Sequence, residues 1–128
     1  MQMPDPRADL LDRKARIVAR LRAALPANAV IEDAIELKAY ECDGLAAYRC
    51  PPMCAVLPGS TAEVSAVMRI CHEEGVPVVP RGAGTSLAGG ALPTADSVLL
   101  GVARLTQVLE TDYDNRFIRV QAGRTNLS

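Results

Sequence analysis

Tryptophan is absent from this 128-residue chain, phenylalanine occurs once and tyrosine three times. Its core must therefore be built from Val, Leu, Ile, Ala and Met, and the aromatic platforms on which unstacked bases rest are missing. An excess of positive charge is missing too. Lys and Arg number 14 against 15 Asp and Glu, for a net charge of −1, so nothing supplies the general attraction to phosphate that nucleic-acid binding relies on. No apolar run reaches the ~20 residues that a membrane-spanning helix needs. The opening Met1-Gln-Met-Pro-Asp-Pro6 has no apolar signal core, and a reducing cytoplasm is the expected compartment. Only one histidine, His72, is present, so a zinc site would have to draw on three or four of Cys42, Cys50, Cys54 and Cys71. Two prolines between Cys50 and Cys54 restrict how both sulfurs reach one ion. The expectation is reduced thiols, Cys71 among them in the core, and no metal.

What is present is ordinary globular composition, 49% hydrophobic and 23% charged, in a length suited to one domain. Three stretches differ in character: a helix within residues 1–26, an irregular connector over 27–52, and a regular α+β pattern from 53 to 128. The first helix is expected over about 9–25, with Leu10, Ile17, Leu21 and Ala24 on one stripe and Leu11, Val18 and Leu25 widening it. Arg13, Lys14, Arg16, Arg20 and Arg22 fill the rest, as a solvated face or as a docking face for an acidic partner. A short helical turn is expected over 33–40, and Gly44 suggests a turn. Residues 53–57 read as a buried strand. Ser60-Thr-Ala-Glu63 reads as a capping box, opening a helix that Gly75 ends. Residues 76–79 and 97–102 read as further strands, the first completing a parallel strand–helix–strand unit. A β-hairpin is expected around Asp114-Asn115, its second strand alternating as if half buried.

The informative segment is Pro80-Arg-Gly-Ala-Gly-Thr-Ser-Leu-Ala-Gly-Gly-Ala91, which follows a strand directly. Gly82, Gly84, Gly89 and Gly90 let a ligand approach the main chain, so that successive N–H groups converge into an anion-binding concavity. Thr85 and Ser86 add hydroxyls and Arg81 a positive charge. Residues 84–89 have the glycine spacing of a P-loop, but Gly90-Ala91 stands where Lys-Ser/Thr is required. Gly82 and Gly84 begin a nicotinamide-type fingerprint, but its third glycine is replaced by Leu87. On spacing alone a plain tight turn stays open.

Together with Val78 and Leu92 at its flanks, this segment resembles the first FAD-binding segment of the vanillyl-alcohol oxidase and p-cresol methylhydroxylase flavoprotein family. Tyr40-Glu-Cys-Asp-Gly-Leu45, Ala55-Val-Leu-Pro58 and Ala122-Gly-Arg-Thr-Asn-Leu127 are similar to the branch of FAD-linked glycolate oxidase subunits. The resemblance implies an α+β fold with a small mixed sheet and flanking helices, the first subdomain of the FAD-binding domain, truncated before the second subdomain and the cap. It implies a diphosphate held by Pro80, Arg81, Gly82, Ala83, Gly84, Thr85, Ser86, Gly89, Gly90 and Ala91. Some relatives attach the flavin through a His in this loop; here Thr85 stands in that place, so FAD is expected to be non-covalent.

The implied chemistry is oxidation of glycolate or a related 2-hydroxy acid, with D-lactate and D-2-hydroxyglutarate as sibling substrates. The implied partners are a second FAD-binding subunit and an iron–sulfur subunit, which would place the chain peripherally at the inner membrane. Glu41 and Asp43 are polar candidates that a turn or cap explains equally well, and no catalytic residue is named. A non-catalytic remnant, docking through its basic helix, is the other reading. With its partner subdomain missing, the chain is expected to expose apolar sheet surface and self-associate.

Overall fold

A computed structural model of the chain describes residues 3–126. Its main sheet comprises β1 (Val30–Ile31), β2 (Cys54–Val56), β3 (Val78–Arg81) and β4 (Val98–Gly101), in the order β1-β2-β4-β3. β1 runs antiparallel to β2, whereas β2, β4 and β3 are parallel. This is the mixed sheet with flanking helices that the sequence led us to expect. β4 is buried along its whole length and separates β2 from β3. The strand–helix–strand unit is thus parallel, but its two strands are not neighbours.

Side chains alternate across the sheet as the period of two requires. Cys54, Val56, Val98 and Leu100 pack with the helices, while Ala55 and Leu99 meet Leu37 on the opposite face. Leu37 is carried by a 3₁₀ helix, Glu36–Tyr40, started by Asp33, whose carboxylate accepts from the Ile35 and Glu36 N–H groups at 2.8 and 3.1 Å. Burial of each large aliphatic side chain contributes about 1.5–3 kcal/mol. Burial also pushes the thiols of Cys54 and Cys71 up, to about 12 and about 11. All four cysteines are free, and among the described residues no cluster suits a metal ion.

The single helix expected over 9–25 is two: α1 (Ala8–Asp12) and α2 (Lys14–Ala24). The break has a local cause. In a continuous helix the Asp9 carbonyl would accept from the Arg13 N–H. Here that carbonyl accepts from Arg13 Nε at 3.1 Å, and the Arg13 N–H donates to Leu10 instead. Leu10, Ile17, Val18, Leu21 and Leu25 are buried as expected, but Leu11 and Ala24 are exposed. The following helix, α3 (Thr61–Glu74), keeps its sequence signals. Ser60 Oγ accepts from the Glu63 N–H at 3.2 Å, and Gly75 closes the helix at φ 67°. The Glu63 carboxylate accepts from Gly59 N–H at 2.8 Å, one residue earlier than in the reciprocal box.

The basic face of α2 is engaged within the chain. Glu74, the last residue of α3, has a buried carboxylate that accepts from Arg13 at 2.9 Å, from Arg20 at 2.8 Å and from Arg16. Arg20 also pairs with Glu73, and Arg22 with Glu32 at 3.1 Å. These hydrogen bonds, from Arg20 foremost and then Arg16, hold the Glu74 carboxyl down from 4.5 to about 2. The folded state then releases this proton more readily than the unfolded chain. The stabilisation is therefore complete above pH 4.5 and is lost as pH falls towards 2. Glu74→Gln is expected to lower Tm at neutral pH and to flatten the fall of Tm with pH in that window, as read by thermal melts.

The hairpin forms as expected, from β5 (Val108–Asp112) and β6 (Phe117–Val120), as a separate two-stranded sheet. Its expected half-burial is not found: Phe117 is 42% exposed and its opposite-face neighbours Ile118 and Val120 are 58% and 39% exposed. Alternation sets which residues share a face, and burial needs a second layer that the described residues do not provide. Among the described residues the exposed large apolar side chains cluster on the hairpin, with Leu11, Ile35, Met68 and Leu87 exposed singly elsewhere, while Leu37 covers part of the main sheet's outer face. Replacing Ile118 and Val120 by Thr is expected to reduce self-association in size-exclusion chromatography without changing the melting of the main body.

Candidate functional site

Pro80 and Arg81 end β3, and the glycine loop begins at Gly82. β3 lies beside β4 in parallel. Such neighbours are usually connected through a helix, yet residues 82–97 make this connection with no helix or strand of their own. Main-chain groups that a helix would satisfy are consequently left over. Among the described residues, none of the N–H groups of residues 82–87 finds an acceptor. Farther along, the Ala88 N–H donates to Ser86 Oγ at 3.3 Å and the Leu92 N–H to the Gly89 carbonyl at 3.2 Å.

Two glycines set the shape of the loop. Gly84 sits at φ 71°, and a Cβ there would lie 2.3 Å from the Arg81 guanidinium. Gly44, in the connector, lies directly against the loop: its Cβ would be 2.8 Å from the Thr85 carbonyl oxygen and 2.9 Å from that of Ser86. In a trans peptide the carbonyl and the following N–H point in opposite directions. Two successive carbonyls turned towards Gly44 therefore turn the N–H groups of Ser86 and Leu87 away from the connector.

Arg81 serves the loop in a way the sequence did not reveal. Its Nη1 donates to the Cys42 carbonyl at 2.6 Å and its guanidinium lies over the Tyr40 ring, 5.9 Å from the centroid. The positive charge is folded under Gly84 and ties the connector to the end of β3. Asp43, two residues past Glu41, is buried, and its Oδ1 accepts from the Leu45 N–H at 2.9 Å. Glu41 pairs with Arg49 at 2.9 Å. The turn explanation thus holds for Asp43, and an ion pair accounts for Glu41. His72 is exposed on α3.

The segment read as one cradle borders two hollows. Gly82 and Ala83 line an open groove of about 450 Å³ together with Val102, Ala103, Ala122 and Gly123. Gly123 fits there because a Cβ would meet the Val102 carbonyl oxygen at 2.0 Å. Gly89 lines a smaller hollow of about 300 Å³ with Leu45, Tyr48, Ala88 and Leu92. Thr85, Ser86 and Gly90 are exposed, while Ala91 is buried. Gly44, Tyr40 and the wall at 102–103 and 122–123 were not expected as site residues. A lone glycine after an aspartate signals a turn, and only the folded chain shows what the turn touches. Gly44→Ala is expected to destabilise the fold by about 1–3 kcal/mol, because the obstructing atoms are backbone. Urea denaturation checks this.

Comparison with known proteins agrees with this geometry. Residues 52–127 match the profile of the family described as FAD binding domain. The chain is 44% identical over 118 residues to glycolate oxidase subunit GlcD of Escherichia coli strain K12, covering 92% of this chain and 23% of that protein. It is 43% identical over 70 residues to a D-lactate dehydrogenase of Archaeoglobus fulgidus, covering 55% of this chain and 16% of that one. The chain thus spans under a quarter of the length of these relatives. Among solved structures, p-cresol methylhydroxylase with substrate bound superposes with a TM-score of 0.79 at 21% identity, over 96% of this chain and 24% of that one. With the strand-to-loop geometry and the family profile in agreement, this chain belongs to the FAD-binding domain family and has the fold of the first part of the p-cresol methylhydroxylase-type domain.

Proposed function

We propose that the chain is the diphosphate-gripping part of a flavoprotein that oxidises glycolate or a related 2-hydroxy acid, and that it holds FAD non-covalently. The observation that carries this reading is the run of N–H groups over residues 82–87 with no acceptor among the described residues, beside an open groove of about 450 Å³. Each hydrogen bond to a charged oxygen contributes about 1.5–3 kcal/mol, so a few of these groups suffice to hold a diphosphate. The hydroxyls of Thr85 and Ser86 are exposed on the loop and add donors. Gly82, Ala83 and Gly123 leave space against the main chain. Pro80 and Arg81 fix the direction in which the loop leaves β3, and Gly89, Gly90 and Ala91 return it towards β4. With Thr85 where a histidine would anchor the flavin, nothing in this loop supports a covalent link.

When bound, FAD supplies the two-electron oxidation of the 2-hydroxy acid to the 2-oxo acid. The protein's share within these residues is to bind and orient, and no side chain here is assigned proton transfer. The similarity to the E. coli subunit favours glycolate and an assembly with further subunits, for which the family resemblance implies a second flavin-binding subunit and an iron–sulfur subunit. The similarity to the Archaeoglobus protein keeps D-lactate as the second reading. The docking-remnant reading loses its support, because Arg13, Arg16, Arg20 and Arg22 are all paired within the chain. No helix among the described residues is long and apolar enough to cross a membrane, and a cytoplasmic location, peripheral to the membrane through partners, fits this.

Gly84→Val tests the cradle. A branched side chain at φ 71° is strained and displaces the Arg81 guanidinium. The full-length gene product is expected to purify with bound flavin and this chain alone to bind FAD weakly, and Gly84→Val to weaken FAD binding at least ~10-fold, read from flavin absorbance and fluorescence titration. Unchanged flavin content in Gly84→Val would sink the proposal.

A further inference from the structure

Asp43 carries a feature that its turn does not explain. The residue is 5% exposed, and its Oδ1 holds the Leu45 N–H. Its Oδ2 is buried with no hydrogen-bond partner, the one such side-chain atom among the described residues. A buried carboxylate oxygen without a donor is unfavourable. An asparagine would make the same turn without placing a carboxylate oxygen there, since both residues hydrogen-bond their own backbone two residues on.

The position of this oxygen is informative. The turn that Oδ1 holds contains Gly44, and Gly44 abuts the carbonyls of Thr85 and Ser86. Those two residues carry the hydroxyls of the glycine loop. Ser86 Oγ accepts from the Ala88 N–H, but no group among the described residues accepts either hydroxyl proton. An acceptor without a donor and two donors without acceptors therefore lie on the two sides of one backbone contact.

We propose that Asp43 is a positioning residue of the phosphate cradle, its free carboxylate oxygen accepting a hydroxyl of Thr85 or Ser86 when the loop closes on a diphosphate. Loop closure then satisfies the buried oxygen at the same time as the ligand satisfies the loop N–H groups. The acid is kept in place of the amide because only the carboxylate presents a second acceptor. The inference rests on the FAD reading above, and it assigns Asp43 no contact with the ligand.

The experiment compares wild type, Asp43→Asn, Thr85→Val/Ser86→Ala and the triple variant in the full chain. Ligand-free Tm and the dissociation constants for FAD and inorganic pyrophosphate are measured for each. Asp43→Asn is expected to leave ligand-free Tm unchanged or raise it, while weakening FAD by ~10-fold or more, the loss of one charge-assisted hydrogen bond. In the triple variant the same Asn is expected to cost no further affinity. A purely structural role would lower Tm and affinity together. That result, or an Asp43→Asn chain that fails to fold, overturns the proposal, as does an Asn variant binding both ligands like wild type. Wild type that binds neither FAD nor pyrophosphate overturns the FAD reading itself, and with it this inference.

Discussion

The contact on which the site depends is the Arg81 guanidinium held between the Cys42 carbonyl, the Tyr40 ring and Gly84. Arg81 is the last residue of an edge strand, so no further strand fixes the direction of the chain beyond it. Its side chain does this instead, by bonding to a segment nearly forty residues earlier. The same segment places Gly44 against the loop, and the turning of the Thr85 and Ser86 carbonyls towards Gly44 decides which way the neighbouring N–H groups face. A positive charge that the sequence suggests for the ligand is thus used to shape the backbone that would bind it. On the proposed reading, phosphate would be met by main-chain dipoles, which keep their charge at any pH and cannot rotate away as a long side chain can.

Local signals made much of the fold legible. The Ser60 cap, the Gly75 terminus and the apolar runs at 54–56 and 98–101 each follow from interactions within a few residues. The hairpin was read from Asp114-Asn115, and hydrogen bonds from Asn115 to the Asp112 carboxylate at 2.8 Å close it. Reading failed where a distant group competes with a local one. At Arg13 the guanidinium takes the Asp9 carbonyl and also bonds to Glu74 on another helix, contacts that helical spacing does not report. The exposure of Ile118 and Val120 depends on there being no second layer over the hairpin among the described residues, which alternation cannot report.

The site was legible in outline for a similar reason. Glycine-rich sequence after a strand announces close approach, and the failed P-loop and nicotinamide patterns narrow what approaches. The groove's far wall at 102–103 and 122–123 was out of reach, because Gly123 meets Val102 only after the hairpin turns the chain back. Asp43 was noticed as a polar residue, but its burial and its unpaired oxygen exist only in the folded chain.

β4 lies between β2 and β3, although it is the last of the sheet's strands along the chain. Until it inserts, β3 has no neighbour, and the loop joining β3 to β4 has one end unattached. The cradle therefore cannot exist as an early local structure. It takes shape only in the step that completes the sheet, a long-range pairing of the kind that slows folding. A ligand of this loop can therefore be met only after the sheet is complete.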